Sequence, residues 1–140
     1  MAAKTQFFET EIEFGDCDPA GIVYFPNYFR WIDASGRHFF EQCGVPPWRE
    51  LTQINGIIGT PLVDTQAKFL RPAVYGQRIR ITTWIDEWRG KSFVLKHVVS
   101  RGDEVLVECS EVRVFATRHP DDPGRIRAVE VPDEIRRQCS

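Results

Sequence analysis

The sequence lacks the features that mark membrane, secreted and metal-binding proteins. No apolar stretch approaches the roughly 20 residues that a membrane-spanning helix needs. Residues 1–6 contain no apolar signal-peptide core, so we expect a cytoplasmic protein. The cysteines are scattered and form no C-x-x-C pair, which predicts reduced thiols and neither a disulfide framework nor a zinc site. They are Cys17, Cys43, Cys109 and Cys139.

The chain also has no marked excess of basic or acidic residues. Its 18 basic and 20 acidic residues leave a formal net charge of -2. No global field therefore draws the protein to nucleic acid or to an anionic membrane, and any anion site has to be local. With 42% hydrophobic residues in 140, the chain has enough apolar material for one core, and we expect a single domain over residues 1–140.

Several catalytic signatures are missing as well. The sequence contains no G-x-S-x-G, no Walker glycine-lysine loop and no H-E-x-x-H. The three histidines, His38, His97 and His119, do not have the spacing of metal ligands. The sequence therefore predicts neither a serine hydrolase of that type, nor a P-loop enzyme, nor a zinc peptidase.

Alternating apolar and polar residues predict five strands. In the first strand, apolar residues alternate with glutamates, and they are Phe8, Thr10, Ile12 and Phe14. Further alternating segments lie near 61–70, 77–89, 92–101 and 104–117, and a short turn joins the last two. We expect these later strands to form an antiparallel meander.

A period of three to four residues predicts one long helix over residues 26–43. Pro26 suits the first helical turn, and Gly44, which precedes two prolines, suits the stop. Gly36 in the middle of the helix is expected where the helix lies close against a sheet. Residues 131–138 are predicted to add a short terminal helix, whereas the stretch 119–124 is rich in turn-forming residues. The element order predicts an α+β fold, and its uncovered sheet edges favour an oligomer.

The loop before the long helix is the candidate reactive segment. It contains two carboxylates, Asp16 and Asp18, and Gly21 permits close approach of the backbone to a ligand. The free N–H groups of a helix start form an oxyanion site, and an ionised aspartate is a base or a nucleophile. The alternative is an aspartate that only forms a turn with its own backbone. Cys17 is a minor nucleophile candidate, because no adjacent histidine activates it.

The segment 18–28, which reads Asp-Pro-Ala-Gly-Ile-Val, two aromatics and Pro-Asn-Tyr, resembles the hot-dog-fold acyl-CoA thioesterase family. Within that family, the chain is most similar to the 4-hydroxybenzoyl-CoA thioesterases of the Asp-loop branch. The Pro-Pro-Trp segment at 46–48 and the segment Trp-Arg-Gly-Lys-Ser-Phe at 88–93 are the more specific matches. Further matching segments lie at 44–49, 56–61, 87–93, 113–116 and 125–132.

The resemblance implies one long helix wrapped by a curved five-stranded antiparallel sheet. It also implies paired subunits with active sites at their interface, and a homotetramer built as a dimer of dimers. The implied activity is hydrolysis of an aromatic acyl-CoA to the free acid and coenzyme A, and the leading candidate substrate is 4-hydroxybenzoyl-CoA. Coenzyme A is then part of the substrate, and no metal or redox cofactor is expected.

The resemblance also implies roles for individual residues. Asp18 corresponds to the catalytic carboxylate, and the backbone N–H of Phe25 corresponds to the donor that polarises the thioester carbonyl. Asp33 and Thr60 match positions at the 4-hydroxyl end of the acyl group. Residues matching those near the coenzyme A phosphates are Arg89, Lys91 and Arg127.

Three alternatives stay open at this point. Asp18 acts either as a nucleophile or as a general base, since both roles need an ionised carboxylate near the thioester. A thioesterase for aliphatic acyl-CoA or carrier-bound chains would keep the same loop. A non-catalytic acyl-CoA-binding module would bind the thioester without turnover.

Overall fold

The computed structural model describes residues 3–140. Met1 and Ala2, part of the segment from which the cytoplasmic location is predicted, lie outside the described residues. Over residues 3–140 the strands are β1 (Thr5–Glu11), β2 (Ile57–Gly59), β3 (Leu62–Phe69), β4 (Arg78–Trp88), β5 (Ser92–Arg101), β6 (Glu104–His119) and β7 (Asp122–Val129). The helices are α1 (Pro26–Gln42), α2 (Trp48–Asn55) and α3 (Asp133–Gln138), and a 3-10 turn spans Phe14–Asp16.

All strand pairs are antiparallel, and the strands run in the order β1-β4-β5-β6. The long strand β6 organises the rest of the sheet. It pairs with β3 through Val107–Arg113 and with β2 farther along. The other edge of β6 pairs first with β5 and then with β7. Ser92, the first residue of β5, pairs with Val114, and Val129 of β7 pairs with the next residue, Phe115. Only β4, β5 and β6 form the predicted antiparallel meander. The prediction is wrong for β3, which pairs with β6 and not with β4, the next strand in the chain.

Helix α1 covers one face of this sheet. Its apolar stripe includes the buried residues Tyr28, Trp31, Ile32, Phe39 and Phe40. Gly36 lies where α1 approaches β5, since a Cβ there would lie 3.3 Å from Cδ2 of Leu95. A Cβ at this position would require Leu95 to shift by a few tenths of an ångström, which agrees with the predicted close approach of helix and sheet.

The sheet presents its apolar side to the helix as the alternation predicts. Every second residue of β4 and β5 is buried, namely Ile79, Ile81, Thr83, Ile85, Phe93, Leu95, His97 and Val99. One core cluster surrounds the carboxyl end of α1, and a second surrounds its amino-terminal half. The long helix thus spans two adjoining apolar clusters and holds its two ends at fixed positions over the sheet.

The predicted α+β class is confirmed, and the five predicted strands are present as β1, β3, β4, β5 and β6. The sheet nevertheless contains seven strands and not five. Phe14 was predicted to continue the buried face of strand one, and this is wrong because its side chain is 80% exposed. The strand ends at Glu11, since the chain turns into the 3-10 segment.

The missed elements are α2, β2 and β7. Strand β7 is largely exposed, with no alternation of burial along it, and its first half contains Pro123 and Gly124. Helix α2 has only eight residues and one fully buried side chain, Leu51. Strand β2 has three residues. The two strands are defined by their pairing with β6 and not by their own sequence pattern.

The terminal helix is shorter than predicted and begins at Asp133. The four cysteines are free in the structure, and Cys43 and Cys109 are buried. Within residues 3–140, no helix has the length and hydropathy needed to cross a membrane.

Candidate active site

The candidate reactive loop folds as a small hairpin that leads directly into α1. Its tip is a turn from Asp18 to Gly21, in which the Gly21 N–H donates to the Asp18 carbonyl at 2.9 Å. The Asp18 N–H donates to the carbonyl of Ile22 at 2.9 Å and closes the turn. Gly21 has φ of +83°, a conformation that L side chains rarely adopt. A glycine at position 21 is therefore required for this reversal.

Below the tip, the two arms of the hairpin are paired. Cys17 and Val23 form an antiparallel bridge, and the Tyr24 N–H donates to the Asp16 carbonyl at 2.9 Å. The side-chain amide of Asn27 donates to the same carbonyl at 2.8 Å. Asn27 lies in the first turn of α1, so the loop and the helix start are held as one unit.

The two carboxylates of the loop have different surroundings. Asp16 accepts a hydrogen bond from the Glu13 N–H at 2.8 Å and one from the Arg30 guanidinium at 3.1 Å. Its side chain is only 14% exposed. Asp16 therefore holds the loop together and has little capacity left for a substrate.

Asp18 is the carboxylate that remains available. Its Oδ1 accepts the N–H of Ala20 at 2.9 Å, so the turn-forming role weighed from the sequence is present. Its Oδ2 accepts no hydrogen bond from residues 3–140. The side chain is half-buried and has no ion-pair partner within that range. One oxygen thus fixes the carboxylate while the other is free to act as a base or a nucleophile.

Phe25 provides an unused backbone donor at the start of α1. It is the N-cap residue with φ -55° and ψ -34°, and Pro26 after it has no N–H. The Phe25 N–H donates to no group within residues 3–140. Its side chain is 57% exposed and lies on an apolar concavity of about 340 Å³ with Phe69 and Leu70. A free N–H at a helix start is the group that stabilises a developing negative charge on oxygen.

Asp33 and Thr60, predicted to share the acyl end of the substrate, line one cavity of about 310 Å³. The cavity lies between α1, α2 and the segment after β2, and Trp48 forms part of its wall. Arg113 joins the two residues. Its Nη2 donates to Asp33 Oδ1 at 3.0 Å, and its Nη1 donates to the Thr60 carbonyl at 2.7 Å.

No role for Arg113 was predicted from the sequence, although segment 113–116 is part of the resemblance. Arg113 also donates to the buried Glu111, from Nη2 at 2.8 Å and from Nε at 3.2 Å. Burial alone would raise the pKa of Glu111, but hydrogen bonds from His97 and Arg113 outweigh burial and hold this pKa below its usual value. Burial would lower the pKa of Arg113, whereas Glu111 and Asp33 raise it. Both side chains are therefore charged at neutral pH.

The three predicted coenzyme A residues lie at one end of the sheet. Arg89 and Lys91 lie in the turn between β4 and β5, on either side of Gly90, and Arg127 lies on β7 opposite Thr117. The turn contacts the segment that follows β7, because the Val131 N–H donates to the Gly90 carbonyl at 2.9 Å. Arg89 bonds Glu87 at 3.0 Å, so its charge is partly compensated.

The single chain does not bring all of these residues into one pocket. Asp18 and Phe25 share the hairpin, whereas Asp33 and Thr60 share the separate Trp48 cavity. Within residues 3–140, no group of three or more His, Cys, Asp or Glu residues is placed to hold a metal ion.

Comparison with known proteins decides the family. The sequence model of the thioesterase-like superfamily matches residues 12–139. The chain belongs to this superfamily. It is 48% identical to the 4-hydroxybenzoyl-CoA thioesterase of Pseudomonas sp. (strain CBS-3), over 99% of both chains.

Solved structures of thioesterases agree with this assignment. A 4-hydroxybenzoyl-CoA thioesterase mutant with one Asp replaced by Asn, complexed with 4-hydroxybenzoyl-CoA, superposes with a TM-score of 0.93. It is 47% identical, and the match covers 99% of this chain and 100% of that one. A gentisyl-coenzyme A thioesterase has a TM-score of 0.81 and 30% identity, covering 96% of this chain and 100% of the other. The resemblance to the hot-dog thioesterases is confirmed.

Proposed function

We propose that this member of the thioesterase-like superfamily hydrolyses an aromatic acyl-CoA thioester. The substrate that we propose is 4-hydroxybenzoyl-CoA. The observation that carries the proposal is the full-length similarity to 4-hydroxybenzoyl-CoA thioesterase at 48% identity. The hairpin supports it, since it supplies a free carboxylate oxygen and a free backbone donor on one rigid loop.

The proposed reaction adds water across the thioester and releases the free acid and the thiol of coenzyme A. The Phe25 N–H donates to the thioester oxygen and stabilises the negative charge that forms there. As a base, Asp18 takes a proton from the water that adds to the carbonyl carbon. As a nucleophile, its oxygen displaces the thiolate and forms a mixed anhydride, which water then cleaves. The C–S bond breaks in both routes.

A proline at position 25 would remove the free N–H of Phe25 and is compatible with the φ of that residue. Proline fixes φ near -65°, close to the -55° of residue 25. We expect Phe25→Pro to lower kcat by about 10²–10³-fold, the usual effect of losing one oxyanion donor. Phe25→Leu keeps the N–H and is the matched control, with an expected change below about threefold. Equal losses in the two folded variants would argue against the backbone donor.

The function itself is tested by thiol release from 4-hydroxybenzoyl-CoA, benzoyl-CoA and a medium-chain acyl-CoA. We expect turnover with preference for the aromatic substrates. Preference for the medium-chain substrate would favour an aliphatic acyl-CoA or carrier-bound thioesterase. Binding of these thioesters without turnover would identify an acyl-CoA-binding module. We propose that no metal or redox cofactor takes part, so turnover should survive treatment with a chelator.

The roles of the remaining predicted residues belong to the same proposal. Arg89, Lys91 and Arg127 bind the coenzyme A phosphates, since guanidinium and ammonium groups suit phosphate. Lys91 is exposed and forms no ion pair within residues 3–140, so its charge is available to a phosphate. Lys91→Ala should therefore raise KM for the thioester. An unchanged KM would show that Lys91 does not bind the substrate.

We further propose a cytoplasmic homotetramer. The open edge of β3, which pairs only with β6 within the described chain, supports subunit pairing. Light scattering should then give about 65 kDa, four times the chain mass of 16.2 kDa.

A further inference from the structure

Arg113 links three separate parts of the fold at the Trp48 cavity. Its side chain is 11% exposed, and its guanidinium group bonds Asp33 on α1, the Thr60 carbonyl before β3, and Glu111 on β6. A guanidinium can bond several acceptors at once because its donors form a rigid planar fork. The position of the Asp33 carboxylate at the cavity wall is therefore set by β6, although Asp33 itself belongs to the helix.

A row of buried polar side chains stands behind Arg113. Glu111 Oε1 lies 2.7 Å from His97 Nε2, and His97 Nδ1 lies 2.8 Å from the Thr83 hydroxyl. That hydroxyl is in turn 2.8 Å from the hydroxyl of Ser35 on α1. These four side chains, from Ser35 to Glu111, are all at least 95% buried. The row thus runs from the underside of the helix to the cavity.

The row satisfies its own hydrogen-bonding requirements. With the His97 proton on Nε2, Ser35 donates to Thr83, Thr83 donates to His97, and His97 donates to Glu111. Buried polar groups without partners are costly, whereas a fully paired network holds one arrangement. Glu111 is thereby fixed, and it fixes the orientation of the Arg113 guanidinium.

The cavity therefore presents a fixed acceptor. Asp33 Oδ1 accepts from Arg113, while Asp33 Oδ2 accepts from no group within residues 3–140. The Asp33 side chain is 62% exposed, so without Arg113 the carboxylate would be free to rotate into solvent. The other guanidinium at this cavity, that of Arg37, belongs to an exposed residue of α1.

We propose that Arg113, held by Glu111 and His97, is a positioning residue that aims Asp33 into the cavity and so selects acyl groups ending in a hydroxyl donor. The inference rests on the proposed function, because it places the acyl group of the thioester in this cavity. The substrate class is an aryl thioester with a hydroxyl at the end opposite the carbonyl. Arg113 acts through Asp33 and not on the reacting atoms.

The first test compares kcat/KM for 4-hydroxybenzoyl-CoA and benzoyl-CoA in Arg113→Lys. Lysine keeps the charge but cannot bond all three acceptors in the same geometry. We expect the ratio of the two kcat/KM values to fall about tenfold, the size of a lost hydrogen bond to a charged group. Arg118→Lys, on the same strand but bonded to the Pro123 carbonyl, is the matched control with an unchanged ratio.

A second set of variants separates positioning from general damage. Asp33→Asn changes an exposed side chain, and as a single variant it should lower the ratio of kcat/KM for 4-hydroxybenzoyl-CoA to kcat/KM for benzoyl-CoA. In the Asp33→Asn background, Arg113→Lys should have no further effect on the ratio, since interacting residues are not additive. Glu111→Gln has the same shape as the native residue and should lower the ratio as Arg113→Lys does, which keeps the test usable if the arginine variant does not fold.

The outcomes separate this inference from the proposed function. Wild-type preference for the hydroxylated substrate that persists in folded Arg113→Lys or Glu111→Gln overturns the positioning role alone. An unchanged ratio in Asp33→Asn also overturns it, because no acceptor then remains for Arg113 to position. Absence of wild-type turnover with both substrates overturns the proposed function and this inference together.

Discussion

Replacing Asp18 by Asn is expected to lower kcat for 4-hydroxybenzoyl-CoA by about 10²–10⁴-fold, the usual contribution of a general base. The amide keeps an oxygen that can accept the Ala20 N–H, so the turn at the hairpin tip is preserved. What the variant loses is the negative charge on the other oxygen. The effect is measured by thiol release under saturating substrate, with circular dichroism to confirm the fold.

Two further variants sharpen this result. Asp103→Asn removes the same charge from an exposed turn and is expected to leave kcat unchanged. Asp18→Ala removes both the charge and the turn hydrogen bond, so its activity should be no higher than that of Asp18→Asn. Full activity in Asp18→Asn would remove Asp18 from the mechanism and leave Asp16 or Cys17 as the group to test.

A single turnover in ¹⁸O-labelled water tests the nucleophilic role of Asp18. If Asp18 is a nucleophile and water attacks the mixed anhydride at the Asp18 carboxyl carbon, the label stays on the enzyme. Label found only in the released acid fits a general base or attack of water at the acyl carbon, so label on Asp18 is the result that identifies the nucleophile. Mass spectrometry of the peptide that contains Asp18 gives the answer, and the Asp18→Asn protein provides the blank.

Removing Glu111 is expected to cause the largest loss of stability. Glu111→Ala leaves Arg113 without its buried partner and His97 without its acceptor. Breaking a buried ion pair by removing one partner costs about 3–5 kcal/mol, against a typical total stability of about 5–15 kcal/mol. Urea unfolding measures this loss. The control Glu108→Ala lies on the same strand but is exposed, and its effect should stay within about 0.5 kcal/mol.

The stabilising effect of Glu111 should also depend on pH. Its pKa is lower in the folded protein than its ordinary value of 4.5, because His97 and Arg113 favour the charged form over the opposing effect of burial. The unfolded chain therefore binds this proton more readily, and stability rises with pH across the interval between the two pKa values. The contribution is complete above about pH 4.5 and is lost as the pH falls through the folded-state pKa.

The measurement is the difference in unfolding free energy between wild type and Glu111→Ala as a function of pH. We expect this difference to be constant near neutral pH and to shrink under acidic conditions. A difference that grows as the pH falls would contradict the assigned direction of the pKa shift.

Much of the candidate site was predictable because it depends on local sequence. Gly21 and Pro26 define the hairpin tip and the helix start, so the positions of Asp18 and Phe25 follow from residues within ten positions of each other. The pairing of Asp33 with Thr60 was implied only by the resemblance, and the structure places both on one cavity. The catalytic and binding roles of these residues stay predictions.

Arg113 and its buried partners were not predictable in the same way. Glu111 and Arg113 alternate on β6 like many polar residues of a strand, and His97 was noted only for lacking metal-ligand spacing. Their connection depends on strand register, since His97 pairs with Cys109 and Thr83 pairs with His97 across neighbouring strands. A local pattern cannot show which polar residue of one strand faces another.

The sequence by itself determined the long helix, the five main strands and the reactive loop. Each of these depends on periodicity or on glycine and proline at defined positions, and these properties act over a few residues. The tertiary structure alone decided where β2 and β7 join the sheet and how the row from Ser35 to Arg113 is formed. Such features depend on contacts between residues far apart in the chain, whose geometry exists only once the helix has packed on the sheet.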